Sequence, residues 1–216
     1  MIEYAKIETM FERDEQFSVT EVLKRPILSH INQWVVTEKI DGTNVRVDLR
    51  RETPDAPDVV TFGGRSAAAQ MPADLVAKLF MTFPVEKMAA LRKDVEPVSI
   101  TLFGEGYGPG IQKGGGDYRS DKGFILFDVL IADKWWLADE AVSEISSKLE
   151  IPRAPYLGLM TLAEIVSLVK GGFDSECATR PRKAEGIVAR TVEPLFDARG
   201  KRLIIKLKTN DWKGPR

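Results

Sequence analysis

The segment Glu38-Lys39-Ile40-Asp41-Gly42-Thr43-Asn44 sets one lysine among acidic and amide side chains at a tight turn. A lysine amine is protonated in neutral water, so a nucleophilic role needs surroundings that lower its pKa. Neighbouring cations do this, and the chain offers Arg65 in FGGRS and Lys206 and Lys208 in IIKLK. In a strand, positions 206 and 208 point to the same face, so two amines can converge on one phosphate chain. Glu105 stands in FGEGYG, between glycines that let a ligand approach the backbone. Glu185 stands in AEGIVAR, at the start of another strand. With Asp41, these two acids make an oxygen site suited to Mg²⁺ (or Mn²⁺), bound directly or through its waters. Each feature taken singly has a plainer reading: K-x-D-G as a turn with a surface lysine, each glutamate as an exposed strand end.

These residues need elements to hold them. Residues 34–39 (WVVTEK) are β-branched and aromatic and read as a strand. Val45, Val47 and Leu49 alternate with charged residues and read as a second strand, with the Asp-Gly turn signal between the two. Helical spacing runs over 74–80 and 85–91, and 98–103 is again a strand. Residues 123–132 form a nearly continuous apolar strand, as expected of one buried on both faces. Residues 137–149 read as an amphipathic helix. Thr161 and Glu164 form a capping box for another that stops at Gly171-Gly172. Strands follow over 184–192 and 202–208. The mixed order, without a βαβ repeat, predicts an α+β fold with mainly antiparallel sheets flanked by helices.

Composition sets the outer bounds. Hydrophobic residues make up 44% and charged residues 29% of 216 residues, as in ordinary globular proteins. No apolar run approaches the ~20 residues a membrane span needs. One cysteine, Cys177, excludes an internal disulfide framework and points to a reducing cytoplasm. One histidine, His30, leaves no usual zinc cluster and reads as a surface or helix-end residue. The formal charge of −1 announces no nucleic-acid binder, but residues 199–216 hold seven basic side chains against the single acid Asp211. Arg180, Arg182 and Lys183 form a second basic knot. In IQKGGGDYR (111–119) the glycine triplet lacks the Lys-Ser/Thr of a phosphate-cradling loop, which predicts a flexible loop near the site. Trp135-Trp136 offer surfaces for stacking bases, though adjacent aromatics at a strand end usually pack.

Taken together, EKIDG (38–42), FGGRS (62–66), FGEGYG (103–108), FILFDV (124–129), AEGIVAR (184–190) and LIIKLK (203–208) resemble, in order, the motifs of the covalent nucleotidyltransferases. That superfamily comprises DNA ligases, RNA ligases and mRNA capping enzymes. Asn44 and the opening KIETMFERDE resemble the small ATP-dependent RNA ligases of phages and bacteria. The resemblance implies a single nucleotidyltransferase domain over 1–216, with sheets and helices around an ATP cleft.

It further implies Lys39 as the adenylylated nucleophile, with Asp41, Glu105 and Glu185 holding a hydrated Mg²⁺ or Mn²⁺. Glu38 and Ile40 are implied beside the adenine, with Phe127 stacking on it. From the apolar run alone, Phe127 reads as a core residue. Arg65 and Glu105 are implied at the ribose or phosphates, Lys206 and Lys208 at the triphosphate, and Asn44 in the later end-joining steps. The implied partners are ATP and RNA with 5′-phosphate and 3′-hydroxyl ends, joined by a monomer. The chain runs eight residues past Lys208, so no counterpart of the appended oligonucleotide-binding domain of DNA ligases and capping enzymes is expected. A DNA nick ligase and a non-catalytic nucleotide- or RNA-binding module are the competing readings.

Overall fold

Apolar alternation along short, β-branched stretches makes strand the commonest regular structure of this chain. The computed structural model describes residues 2–16, 18–53, 55–66, 68–92 and 99–212. In chain order the strands are β1 (Glu8–Thr9), β2 (Phe11–Arg13), β3 (Val19–Leu23), β4 (Trp34–Glu38), β5 (Thr43–Arg50) and β6 (Val59–Gly63). Then come β7 (Ser99–Tyr107), β8 (Gly123–Ile131), β9 (Trp135–Trp136), β10 (Tyr156–Met160), β11 (Gly186–Thr191) and β12 (Ile204–Lys208). The α-helices are α1 (Ala73–Thr82), α2 (Val85–Ala89), α3 (Asp139–Lys148) and α4 (Leu162–Gly171). This is the α+β class, with every strand pairing antiparallel except β1 against β12. Val98, expected at the start of β7, and Lys213 and Arg216 of the basic strip lie outside the described residues. Among the described residues no helix is long and apolar enough to cross a membrane.

The chain divides into two compact units, Met1–Tyr4 with Asp41–Arg153, and Ala5–Ile40 with Ala154–Arg216. The first is built on a sheet of order β6-β5-β7-β8-β9. Val45, Val47, Leu49, Ile100, Leu102, Leu126 and Val129 face Leu75 and Leu79 of α1, Met88 of α2 and Val142 of α3. Odd-numbered positions of β5 build that core, so Asn44, Arg46 and Asp48 take the opposite, polar face. That face is also buried at Arg46 and Asp48. Arg46 donates to the Ile2 carbonyl (2.7 Å), and Asp48 accepts from the Thr101 hydroxyl (2.6 Å). Tyr4 lies over Phe103 and Trp136 and donates to buried Asp128 (2.8 Å). Of the paired tryptophans, then, Trp136 packs while Trp135 stays exposed.

The second unit is built on the sheet β1-β12-β11-β4-β10, with β2 and β3 as a separate ribbon. Trp34, Val36, Ile187, Ala189, Ile205 and Leu207 bury one face against Ile165 and Val169 of α4. Burying each of those two α4 side chains contributes roughly 1.5–3 kcal/mol. The expected capping box opens α4: the Glu164 N–H donates to the Thr161 hydroxyl (3.3 Å), and the Thr161 N–H to the Glu164 carboxylate (2.7 Å). His30 is exposed at the end of a 3₁₀ turn over Pro26–His30, as expected.

One local expectation is modified. Both edges of β4 are already paired, to β10 and to β11. Likewise β5 is flanked by β6 and β7. The strands on either side of Asp41-Gly42 therefore enter different sheets, and the Asp-Gly step is not a hairpin turn. It is where the chain leaves one unit for the other.

Candidate active site

In the second unit, β4 delivers Lys39. The Lys39 N–H donates to the Gly186 carbonyl (2.9 Å), continuing the β4–β11 ladder one residue beyond the strand. Its amine donates to Glu185 Oε2 at 2.5 Å, and Lys208 Nζ reaches Glu185 Oε1 at 2.6 Å. One carboxylate thus stands between two ammonium groups, its side chain 13% exposed.

The backbone explains how Glu185 comes to stand there. Gly186 has φ +153°, and a Cβ on it would lie 2.1 Å from the Leu207 carbonyl oxygen, so β11 and β12 meet at a distance only glycine permits. On the other side the Thr209 hydroxyl donates to the Ala184 carbonyl (3.1 Å), and the Thr209 N–H to the Glu185 carbonyl (3.0 Å). Lys208 pairs with Gly186 and Lys206 with Val188, while Leu207 and Ile205 between them are buried in the core. The alternation expected of the two lysines holds: both take the sheet face opposite the core.

Glu38 and Lys39 point to opposite faces of β4. Ile40 is buried, and Glu38, across from core residue Ile187, is 1% exposed. Its carboxylate accepts from the Ser175 hydroxyl (2.5 Å), the Glu176 N–H (2.9 Å) and the Cys177 thiol (3.7 Å). Burial raises the Glu38 pKa above the usual carboxylate range, and these hydrogen bonds oppose that shift. Nothing in the sequence announced Ser175-Glu176-Cys177 as partners, because the contact spans more than a hundred residues and uses one backbone group. Burial, with the nearby Glu38 carboxylate, also pushes the Cys177 thiol up to about 12. At pH 8 the thiolate fraction is then on the order of 10⁻⁴. Iodoacetamide is expected to label Cys177 of the folded protein at least about a hundredfold more slowly than in urea, with the modified thiol counted by mass spectrometry. Comparable rates would contradict the buried, hydrogen-bonded thiol.

The first unit carries the remaining expected residues. Asn44 on β5 pairs directly with Glu105 on β7, so the two side chains share the polar face of the sheet. Asn44 Oδ1 is buried and has no hydrogen-bond partner among the described residues. The Asp41-Gly42 turn lies against the same place on β7: a Cβ on Gly42 would come within 2.2 Å of the Gly106 carbonyl oxygen and 2.8 Å of Glu105 Cγ. Arg65 is exposed just beyond β6.

Phe127 falls where the β7–β8 register slips. Phe103 pairs with Asp128 and Gly104 with Leu126, which leaves Phe127 between them. Such a bulge re-aims a side chain. Phe127 is half-buried, unlike its fully buried neighbours, with its ring edge-on to Tyr4 at 5.1 Å. The glycine triplet, expected to form a flexible loop, lies in a segment with turns of its own. Residues 115–117 make a 3₁₀ turn, Tyr118 is buried behind it, and Tyr118 and Gln112 both bond the Asp41-Gly42 backbone.

Chemically, the second unit offers a primary amine fixed by a carboxylate that can accept its proton, beside two further ammonium groups suited to phosphate. Among the described residues no three His, Cys, Asp or Glu side chains gather into a metal cage. Asp41 and Glu105 in one unit and Glu185 in the other are separate carboxylates. An ion like Mg²⁺ keeps most of its waters and binds through one or two carboxylates and a nucleotide's phosphates, so single carboxylates of this kind suit it.

The fold is that of solved RNA ligases. A lysine-to-alanine variant of a Naegleria gruberi RNA ligase with ATP and Mn matches 97% of this chain at TM-score 0.66 and 19% identity. The same enzyme with PPi matches 96% at TM-score 0.65 and 20% identity. A lysine-to-methionine variant with AMP and Mn matches 96% at TM-score 0.64 and 21% identity. The match covers 58–60% of those proteins, so this chain spans about three-fifths of their length. The family model for RNA ligase matches residues 32–208, from the approach to β4 to the last residue of β12. By that match over most of its length, this chain belongs to the RNA ligase family.

Proposed function

We propose that this protein is an ATP-dependent RNA ligase that works through a lysyl-AMP intermediate on Lys39. The observation that carries the reading is the Lys39–Glu185–Lys208 arrangement, with Lys206 on the same sheet face. In the first step the Lys39 nitrogen bonds to the α-phosphorus of ATP, the bond to the β-phosphate oxygen breaks, and pyrophosphate leaves. The Glu185 carboxylate, already bonded to the amine, takes its proton. Lys206 and Lys208 hold the triphosphate and offset charge that builds during transfer. Glu38, Ile40 and Phe127 serve the adenine, Arg65 and Glu105 the ribose and phosphates. A hydrated Mg²⁺ or Mn²⁺, its waters held by Asp41, Glu105 and Glu185, supplies further charge neutralisation at the phosphates.

In the second step an oxygen of an RNA 5′-phosphate displaces Lys39 from AMP, giving a 5′–5′ anhydride and restoring the free amine. In the third a 3′-hydroxyl attacks the 5′ phosphorus and AMP leaves, with Asn44 assisting. The activity is that of a single nucleotidyltransferase domain, in a cytoplasmic monomer. The basic side chains at 180–183 and 199–212 meet the RNA backbone, which makes binding salt-dependent.

The test is end joining. With ATP and Mg²⁺, the protein is expected to circularise or dimerise a labelled RNA bearing a 5′-phosphate and 3′-hydroxyl. RNA lacking the 5′-phosphate should not be joined, and GTP should not replace ATP. Nicked DNA should be sealed at least about tenfold more slowly. Faster sealing of nicked DNA than of RNA would overturn the choice of RNA as substrate.

A further inference from the structure

The Asp41-Gly42 step lies two residues beyond Lys39, and the loop at 108–122 grips it. The Asp41 N–H donates to the Tyr118 hydroxyl (3.2 Å), and the Gln112 side-chain amide donates to the Gly42 carbonyl (3.0 Å). On its other side the turn rests on the Gly106 carbonyl and the Glu105 side chain, as the contacts of a Cβ at Gly42 show. Tyr118 is 1% exposed, and its ring stands 5.8 Å from that of Tyr107 at 73°. The loop between the two gripping residues is itself bonded turn by turn. Gly115 N–H donates to the Gln112 carbonyl (3.0 Å), Asp117 N–H to that of Gly114 (3.0 Å) and Tyr118 N–H to that of Gly115 (3.2 Å). A hydroxyl on a buried ring, directed at a backbone amide, holds that amide more firmly than water would. Neither Gln112 nor Tyr118 belongs to the sequence segments that carry the family resemblance.

We infer that Tyr118, supported by Gln112, is a positioning residue for adenylyl transfer: it fixes the Asp41-Gly42 backbone and, through it, the Asp41 carboxylate. The inference rests on the proposed lysyl-AMP chemistry. Small displacements of catalytic groups are costly in rate, so a hydrogen bond remote from the reacting atoms reads out in turnover rather than in ATP affinity.

Tyr118→Phe keeps the ring and removes the hydroxyl. Two measurements on the intact protein decide the matter. In amide hydrogen exchange followed by NMR, Tyr118→Phe is expected to speed exchange at Asp41 by about tenfold while leaving Val45 and Val47 unchanged. In single-turnover labelling with α-labelled ATP, it is expected to slow adduct formation by roughly five- to tenfold at saturating ATP, with half-saturation shifted by less than about twofold. Gln112→Ala should move both readouts in the same direction. In an Asp41→Asn background Tyr118→Phe should cost less than about twofold, because both changes act on one group.

Unchanged exchange at Asp41 would overturn the positioning contact. Altered exchange with an unaltered labelling rate, or a full additive loss in the Asp41→Asn background, would overturn its part in the reaction. A wild-type protein that takes no label at all would instead overturn the lysyl-AMP reading, with the exchange result still deciding whether Tyr118 holds the turn.

Discussion

Lys39→Ala is expected to abolish transfer of AMP from α-labelled ATP to the protein, a loss of at least about a thousandfold. The amine is positioned by three independent contacts: its own N–H on the Gly186 carbonyl, its Nζ on Glu185, and the chain's emergence from the fully buried β4. Lys208 shares the same carboxylate from the opposite oxygen, so it is the natural substitute nucleophile if Lys39 is not the acceptor. The control is Lys39→Arg, which retains the positive charge on a group that is not deprotonated in proteins and so cannot attack. Both variants should still bind ATP within about tenfold of wild type, since binding draws on several charges while the covalent bond draws on one. A labelled adduct persisting in Lys39→Ala, and mapping by peptide mass to Lys208, would reassign the nucleophile.

Glu185→Gln is expected to lower the rate of adduct formation by roughly 10- to 100-fold, the size of effect a lost charge-assisted hydrogen bond produces. Its direction on ATP is the more telling readout. The wild-type carboxylate places a negative charge 2.5 Å and 2.6 Å from the two lysine amines. Removing it leaves two cations facing one another, which costs some local stability but makes the face more attractive to a triphosphate. The ATP concentration for half-saturation should therefore stay level or fall while the maximal rate drops. A parallel rise in half-saturation with no change in maximal rate would mean that Glu185 merely binds, and that the proton leaves Lys39 by another route.

The sequence carried this site unevenly, and the reason is physical. Periodicity is a local property. The shared face of Lys206 and Lys208, the strand before Lys39, the capping box at Thr161 and Glu164 and the buried run of β8 were all readable from near neighbours. Pairing is not local. Nothing around Asp41-Gly42 reveals that β4 has both edges taken by β10 and β11, so the strand–turn–strand pattern looked like a hairpin. Strand β10, broken by Gly158 and short of alternation, gave no signal of its own. The clamp of Ser175 and Glu176 on Glu38 and the grip of Tyr118 and Gln112 on the turn depend on two hydroxyls, a side-chain amide and two backbone amides in ordinary surroundings. Such groups acquire meaning only from what the fold sets opposite them.

The arrangement of strands also imposes an order on synthesis. The first unit, apart from its opening residues, is one uninterrupted stretch from Asp41 to Arg153, whose sheet joins β5 to β6 and β7 to β8 as sequence neighbours. It can close as soon as it clears the ribosome, since local pairings have little loop entropy to overcome. The strand that bears Lys39 has no such freedom. It is made just before that stretch, yet its partners at 156–160 and 186–191 emerge only after the whole of it, and the strand that brings Lys208 emerges later still. The nascent chain therefore carries Lys39 unpaired until the strands that flank it have been made. Lys39 meets Glu185 and Lys208 only after the whole stretch from Asp41 to Arg153 has been made.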